Sequence, residues 1–152
     1  AEVKVSTLDL CERIRLIIEG FANSDYRFDR LKSKQNVANK NSLSKIVLAL
    51  PKGSSITTAR RSVQEGEAIA HGVCLARDLS NLPGNLCTPT YLAAQARKLQ
   101  RSHHLTVSVL GEVQMRKLKM GSFLSVAKGS RQPPKLIIMK YQGDPNNSQS
   151  EL

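Results

Sequence analysis

The side chains that could carry chemistry in this chain are few and far apart. Its imidazoles are His71, His103 and His104. A catalytic zinc needs three or more His, Asp, Glu or Cys donors converging at about 2.0–2.3 Å. The sequence has no His-Glu-x-x-His motif, and no carboxylate lies within a few residues of His103-His104. His71 falls in a helical stretch and reads as a packed or surface residue; the pair reads as exposed loop histidines. A serine hydrolase would show Gly-x-Ser-x-Gly at a strand-to-helix turn, and none occurs. Gly121 to Lys128 has the outline of a phosphate loop. Ala127 stands where a second glycine should precede the lysine, however, and the spacing fails. No paired carboxylates stand out among the 12 Asp and Glu. Cys11, Cys74 and Cys87 are scattered and form no Cys-x-x-Cys pair. That pattern argues against a disulfide framework and against a Cys-rich zinc site, and each reads as a small apolar filler. From residue chemistry alone, the chain holds no catalytic, metal-ligating or substrate-binding residue.

Charge is the other chemical signal. In 152 residues, 23 Lys and Arg against 12 Asp and Glu give a formal charge of +11. Such an excess favours polyanions, including nucleic acid. The densest groups are Arg60-Arg61, Arg97-Lys98-Arg101 and Arg116-Lys117-Lys119. Their spread along the chain, and the lack of a helix-turn-helix, zinc-finger or aromatic-platform signature, favour solvated helix faces as the reading. The start, Ala1-Glu2-Val3-Lys4, has neither initiator Met nor secretory signal, which suggests a piece that begins mid-protein. No run approaches the ~20 apolar residues of a membrane span. The expected compartment is the cytoplasm.

The elements that must position any site follow from periodicity. Leu10, Ile14, Ile17, Ile18 and Phe21 recur at helical spacing and predict an amphipathic helix from about Thr7 to Phe21, with continuation possible through Leu31. Lys32 to Ser44 reads as a loop. Ile46 to Leu50, closed by Pro51 and Gly53, predicts a buried strand. A long helix follows over about Thr57 to Leu79. Its stripe of Ala59, Val63, Gly66, Ile69/Ala70, Val73 and Ala76 would allow close approach of a neighbour, offsetting the roughly 1 kcal/mol that Gly66 and Gly72 each cost a helix. Asn81 to Asn85 breaks that helix. Thr88 as N-cap and Pro89 at the first helical position start another, with Leu92, Ala96 and Leu99 as its apolar face. Leu105 to Leu110 alternates with period two and predicts a strand with one wetter face. Short helices around Val113 to Leu118 and over Met120 to Val126 follow, and then a second buried strand over Leu136 to Met139. Helices alternating with strands place the chain in the α/β class, with the long helix as a bridge between parts of two domains.

One stretch is more specific than any of these patterns. Arg77-Asp78-Leu79-Ser80-Asn81-Leu82-Pro83-Gly84-Asn85-Leu86-Cys87-Thr88-Pro89-Thr90-Tyr91-Leu92 resembles the cytosol (leucine) aminopeptidase family, in which a helix ends in Asn-x-Pro-x-Asn and a Thr-Pro helix start follows. The likeness continues through Val109 to Glu112, Met115, Met120 to Ser130, Pro133-Pro134 and Ile138 to Gly143. These blocks stand in the family's order and cover about the second half of the chain.

The resemblance implies a metallo-exopeptidase that removes N-terminal amino acids from peptides. It would use two bridged divalent ions, zinc or manganese, and would assemble as a homohexamer. It also implies that the ligands lie downstream, in a Lys-Gly-x-Thr-Phe-Asp and an Asn-Thr-Asp-Ala-Glu-Gly-Arg segment. Neither occurs in this chain. Lys128-Gly129 continues as Ser130-Arg131-Gln132, so no family catalytic residue transfers. The expectation is therefore a fragment, inactive by itself. Residues 1–56 would close an N-terminal α/β domain, 57–82 would be the linking helix and turn, and 83–152 would open the catalytic domain. The alternatives are a basic DNA-binding module of a bacterial aminopeptidase with a regulatory role, and a degenerate non-catalytic relative.

Overall fold

A computed structural model of the chain describes residues 8–32, 44–102 and 104–143. Two compact units divide between Asn81 and Leu82.

The first unit is built on two helices, α1 (Leu10–Asp25) and α2 (Ile56–Asn81). Asp9 sets the start of α1 through a capping box. Its carboxylate accepts the Glu12 N–H at 2.7 Å, and the Glu12 carboxylate accepts the Asp9 N–H at 3.2 Å. Two otherwise orphaned donors are satisfied, so the helix begins later than the expected Thr7. It runs through Gly20 and ends at Asp25, where Tyr26 turns extended. Ser55 starts α2, its hydroxyl accepting the Thr58 N–H at 3.3 Å.

The two helices meet along a seam of Ile14 on α1 and Ala59, Ser62, Gly66 and Ala70 on α2, all buried. The small-residue stripe is present but turned from its expected centre: Ile69 and Val73 are exposed, and Ser62 takes the inward position beside Val63. Ser62 tolerates burial because its hydroxyl donates to the Thr58 carbonyl at 3.2 Å. At Gly66 an added Cβ would stand 3.1 Å from the Arg15 carbonyl oxygen and 3.1 Å from the Ile18 Cβ. This glycine lets the two backbones approach. Gly72 has nothing within 4 Å of the same position, so no contact offsets its cost to the helix.

The expected strand at Ile46 to Leu50 is not one. The segment makes no ladder, and Val47 is 76% exposed. No described residue of this unit pairs with it, and an apolar run becomes a strand only when its backbone groups find a partner.

The second unit holds α3 (Pro89–Ser102), β1 (Leu105–Leu110), α4 (Glu112–Lys117), α5 (Gly121–Ala127) and β2 (Leu136–Tyr141). Thr88 caps α3, accepting the Tyr91 N–H at 3.2 Å, and Pro89 occupies the first helical position as expected. Ala93 and Ala96 are the buried residues of α3, whereas Leu92 lies at the edge of its apolar face. β1 and β2 pair antiparallel with Leu105 opposite Tyr141 and Leu110 opposite Leu136. β1 alternates between half-buried and exposed positions, matching the expected wetter face. β2 is longer than expected and is not a buried strand, being exposed from Ile138 onward. Mixed helices and a small antiparallel sheet give the chain its α/β character.

A Schellman motif ends α4: the Met120 N–H reaches the Met115 carbonyl at 3.1 Å and the Lys119 N–H reaches that of Arg116 at 3.0 Å. Lys119 takes the left-handed position this motif requires, with φ of 56°. Met115, at 0% exposure, anchors the turn.

Candidate functional site

Among the described residues, those singled out for their chemistry do not gather into a cluster of donors. His71 is exposed on α2 and His104 is exposed just before β1. His103 lies outside the described residues. Cys11, Cys74 and Cys87 are half-buried free thiols. Among the described residues, no group of three or more His, Cys, Asp or Glu converges closely enough to hold a metal ion. These donors therefore do not fit the divalent ions implied by the resemblance. No described helix is long and apolar enough to cross a membrane.

The resembling blocks fold into specific places. The first, from Arg77 to Asn81, forms a polar clasp in the first unit. The Tyr26 hydroxyl donates to Asp78 Oδ1 at 2.8 Å and accepts from Asn81 Nδ2 at 3.1 Å. The Arg77 guanidinium lies 3.8 Å above the centre of the Tyr26 ring and reaches Asn23 Oδ1 at 3.3 Å. Partial burial, and then the hydrogen bond to Asp78, hold the Tyr26 hydroxyl above its ordinary range. The clasp joins the end of α1 to the last turn of α2. Tyr26 stands 52 residues from Asp78, so no local sequence pattern signals their pairing.

In the second unit, Pro83 closes the turn that follows α2: its carbonyl accepts both the Leu86 and Cys87 N–H groups at 2.9 Å. The blocks at Met120 to Ser130 and Pro133-Pro134 supply α5 and the loop 128–134. With α4 they enclose a cleft of about 540 Å³, whose lining includes Arg116, Leu124, Lys128, Arg131 and Pro134. Glu112 lies at its edge, its Oε1 taking Arg116 Nη2 at 2.6 Å and Nε at 3.1 Å. A neighbouring apolar cleft of about 300 Å³ is lined by Pro89, Phe123, Val126 and Pro134 among others. In the first unit a groove of about 470 Å³ lies among α1, α2 and the segment 44–48, next to Phe21, Ile46 and Val63. Of the basic groups, Arg61 is bound to Glu65 at 3.0 Å, which also takes Arg15 at 3.8 Å. Arg97, Arg101, Lys117 and Lys119 are exposed.

Known proteins share both the sequence and the fold of this chain. The family model described as "Cytosol aminopeptidase family, catalytic domain" matches residues 74–152. A probable cytosol aminopeptidase of Nitrosococcus oceani is 46% identical over 145 residues, covering 95% of this chain and 29% of the relative. One from Pseudomonas syringae pv. tomato is 43% identical over 143 residues, covering 93% of this chain and 28% of the relative. The solved structure of the bottromycin maturation enzyme BotP in complex with Mn superposes with a TM-score of 0.74 at 30% identity, covering 93% of this chain and 28% of that one. The chain thus spans less than a third of the length of these relatives.

Proposed function

This chain belongs to the cytosol aminopeptidase family, and on that premise we propose that it is part of a metal-dependent leucyl aminopeptidase that removes N-terminal amino acids from peptides. The observation that carries the reading is the match of residues 74–152 to the family's catalytic domain. The resembling blocks support it by folding into scaffold: a helix-ending clasp, a capped turn, two short helices and a sheet.

In this reading the residues here build the approach to the active site, and the acidic metal ligands lie outside them. Two features support that division. Neither acidic ligand segment occurs in the sequence, and the chain spans 29% of the length of a relative that it matches at 46% identity. Residues 1–56 then close the N-terminal domain, 57–82 link, and 83–152 open the catalytic domain. Two divalent ions, a homohexameric assembly and a cytoplasmic setting belong to the same proposal, and the Mn held by BotP supports the metal. Bound divalent ions supply Lewis-acid chemistry to peptide hydrolysis.

Leucine p-nitroanilide hydrolysis with added manganese tests both parts. The expected result is no turnover by these 152 residues and clear turnover by a longer protein carrying both acidic segments. Turnover by the 152 residues refutes the division of labour. An inert, folded and metal-loaded longer protein refutes the peptidase reading.

A further inference from the structure

The cationic excess is concentrated in the second unit. From Leu82 to Leu152 the sequence carries ten Lys and Arg against Glu112, Asp144 and Glu151, of which Glu112 alone lies among the described residues. That one carboxylate is engaged by Arg116. Lys128 and Arg131 line the same cleft, and their side chains have no hydrogen-bond or ion-pair partner among the described residues. Three cations therefore border one concavity of about 540 Å³, a size within the range of small-ligand sites.

The walls narrow the class of ligand. Leu124, Ala127, Pro133 and Pro134 supply apolar surface between the charges. The two prolines stiffen the loop, which lowers the entropy lost on binding. Among the described residues, no aromatic side chain lines the cleft. Nucleic-acid grooves join a continuous cationic track to aromatic faces on which bases stack. A short peptide that alternates carboxylates with aliphatic side chains matches this lining better. Its carboxylates would meet Arg131, whose planar fork suits them, and Lys128, while its aliphatic groups meet Leu124 and Pro134.

We propose that the cleft between α4, α5 and the loop 128–134 is a docking site for an acidic peptide segment, recognised by Lys128, Arg131 and Arg116. Glu112 occupies part of this charge in the absence of the segment and competes with it.

Fluorescence anisotropy of a labelled Glu-Leu-Glu-Leu-Glu peptide tests the proposal, with a short DNA duplex as the second probe. At low salt the peptide should bind, and K128E/R131E should weaken it by at least about tenfold. R97E/R101E makes the same charge change on α3 and should shift affinity less than about twofold, because neither residue lines the cleft and exposed charges out of contact are screened by salt. E112Q should tighten binding by freeing Arg116. All positions are exposed, and matching circular dichroism will show that the variants are folded; K128Q/R131Q serves if charge reversal disturbs the fold. Equal weakening by the two double variants assigns binding to diffuse charge and overturns the proposal. So does a peptide that fails to bind, or a duplex that displaces it and depends on the same Lys128 and Arg131.

Discussion

Replacing Gly66 by Ala sets helix propensity directly against packing. In a helix interior the substitution should contribute about 1 kcal/mol of stability, because Ala loses less backbone freedom on folding. Here, however, the new Cβ would meet the Arg15 carbonyl oxygen and the Ile18 Cβ at 3.1 Å, and the Arg15 Cα at 3.2 Å. Two of these atoms are backbone, so a rotamer change cannot relieve the contact. The helices must move apart by a few tenths of an ångström, loosening the seam at Ile14, Ala59 and Ala70. Overpacking of this kind costs roughly 1–3 kcal/mol, leaving a net loss of about 0–2 kcal/mol. Gly72 is the internal control: it lies in the same helix with nothing within 4 Å. Gly72→Ala should therefore show the uncompensated gain of about 0.5–1 kcal/mol. Urea unfolding followed by helical circular dichroism can compare the two variants. With a slope of about 1–3 kcal/mol per molar urea, their midpoints should differ by roughly 0.2–3 M, near 1 M at mid-range values, with Gly66→Ala lower. Equal midpoints, or a higher one for Gly66→Ala, would show that α1 and α2 do not approach as closely as described.

Further outcomes follow from single contacts. Lys119 holds φ of 56° in the α4 Schellman motif, so Lys119→Gly should stabilise the second unit by about 1 kcal/mol; a thermal melt that fails to rise would count against the turn. Asp9→Ala removes the side-chain acceptor of the α1 capping box and should cost about 1 kcal/mol in the first unit, whereas Asp9→Asn should retain most of it; equal losses in denaturant midpoint would contradict the cap. Burial and the Asp78 hydrogen bond raise the Tyr26 hydroxyl's pKa in the folded protein. Its stabilising contribution is thus complete below the unfolded value of about 10 and is lost as pH rises through the folded value. Stability of the first unit should fall in that alkaline window and fall less in Tyr26→Phe, as read from unfolding midpoints against pH.

Features governed by local chemistry are legible in the sequence alone. Thr88-Pro89 marks a helix start because a cap and the residues it serves lie within one turn. The same is true of Asp9-x-x-Glu12, which carries the true start of α1 where apolar periodicity points to Thr7. The period-two run from Leu105 to Leu110 likewise carries its own face assignment, and the ordered blocks from Arg77 to Gly143 point to the family. The site is far less readable. The basic groups can be counted along the chain, but the gathering of Arg116, Lys128 and Arg131 around one cleft depends on how α4, α5 and their loop fold back.

Long-range partners decided the rest. Ser62 rather than Val63 faces the seam centre because α1 approaches at Gly66, and periodicity alone leaves a helix free to rotate by a residue. Ile46 to Leu50 has the apolar content of a strand, yet strand identity belongs to a pair and no described partner is there. The antiparallel register of Leu105 with Tyr141, and the clasp from Tyr26 to Asp78 and Asn81, join residues tens of positions apart. A sequence specifies caps and periods within a few residues, whereas the choice of packed face, paired strand and shared hydrogen bond is a property of the whole folded unit, where burial and backbone satisfaction are settled together.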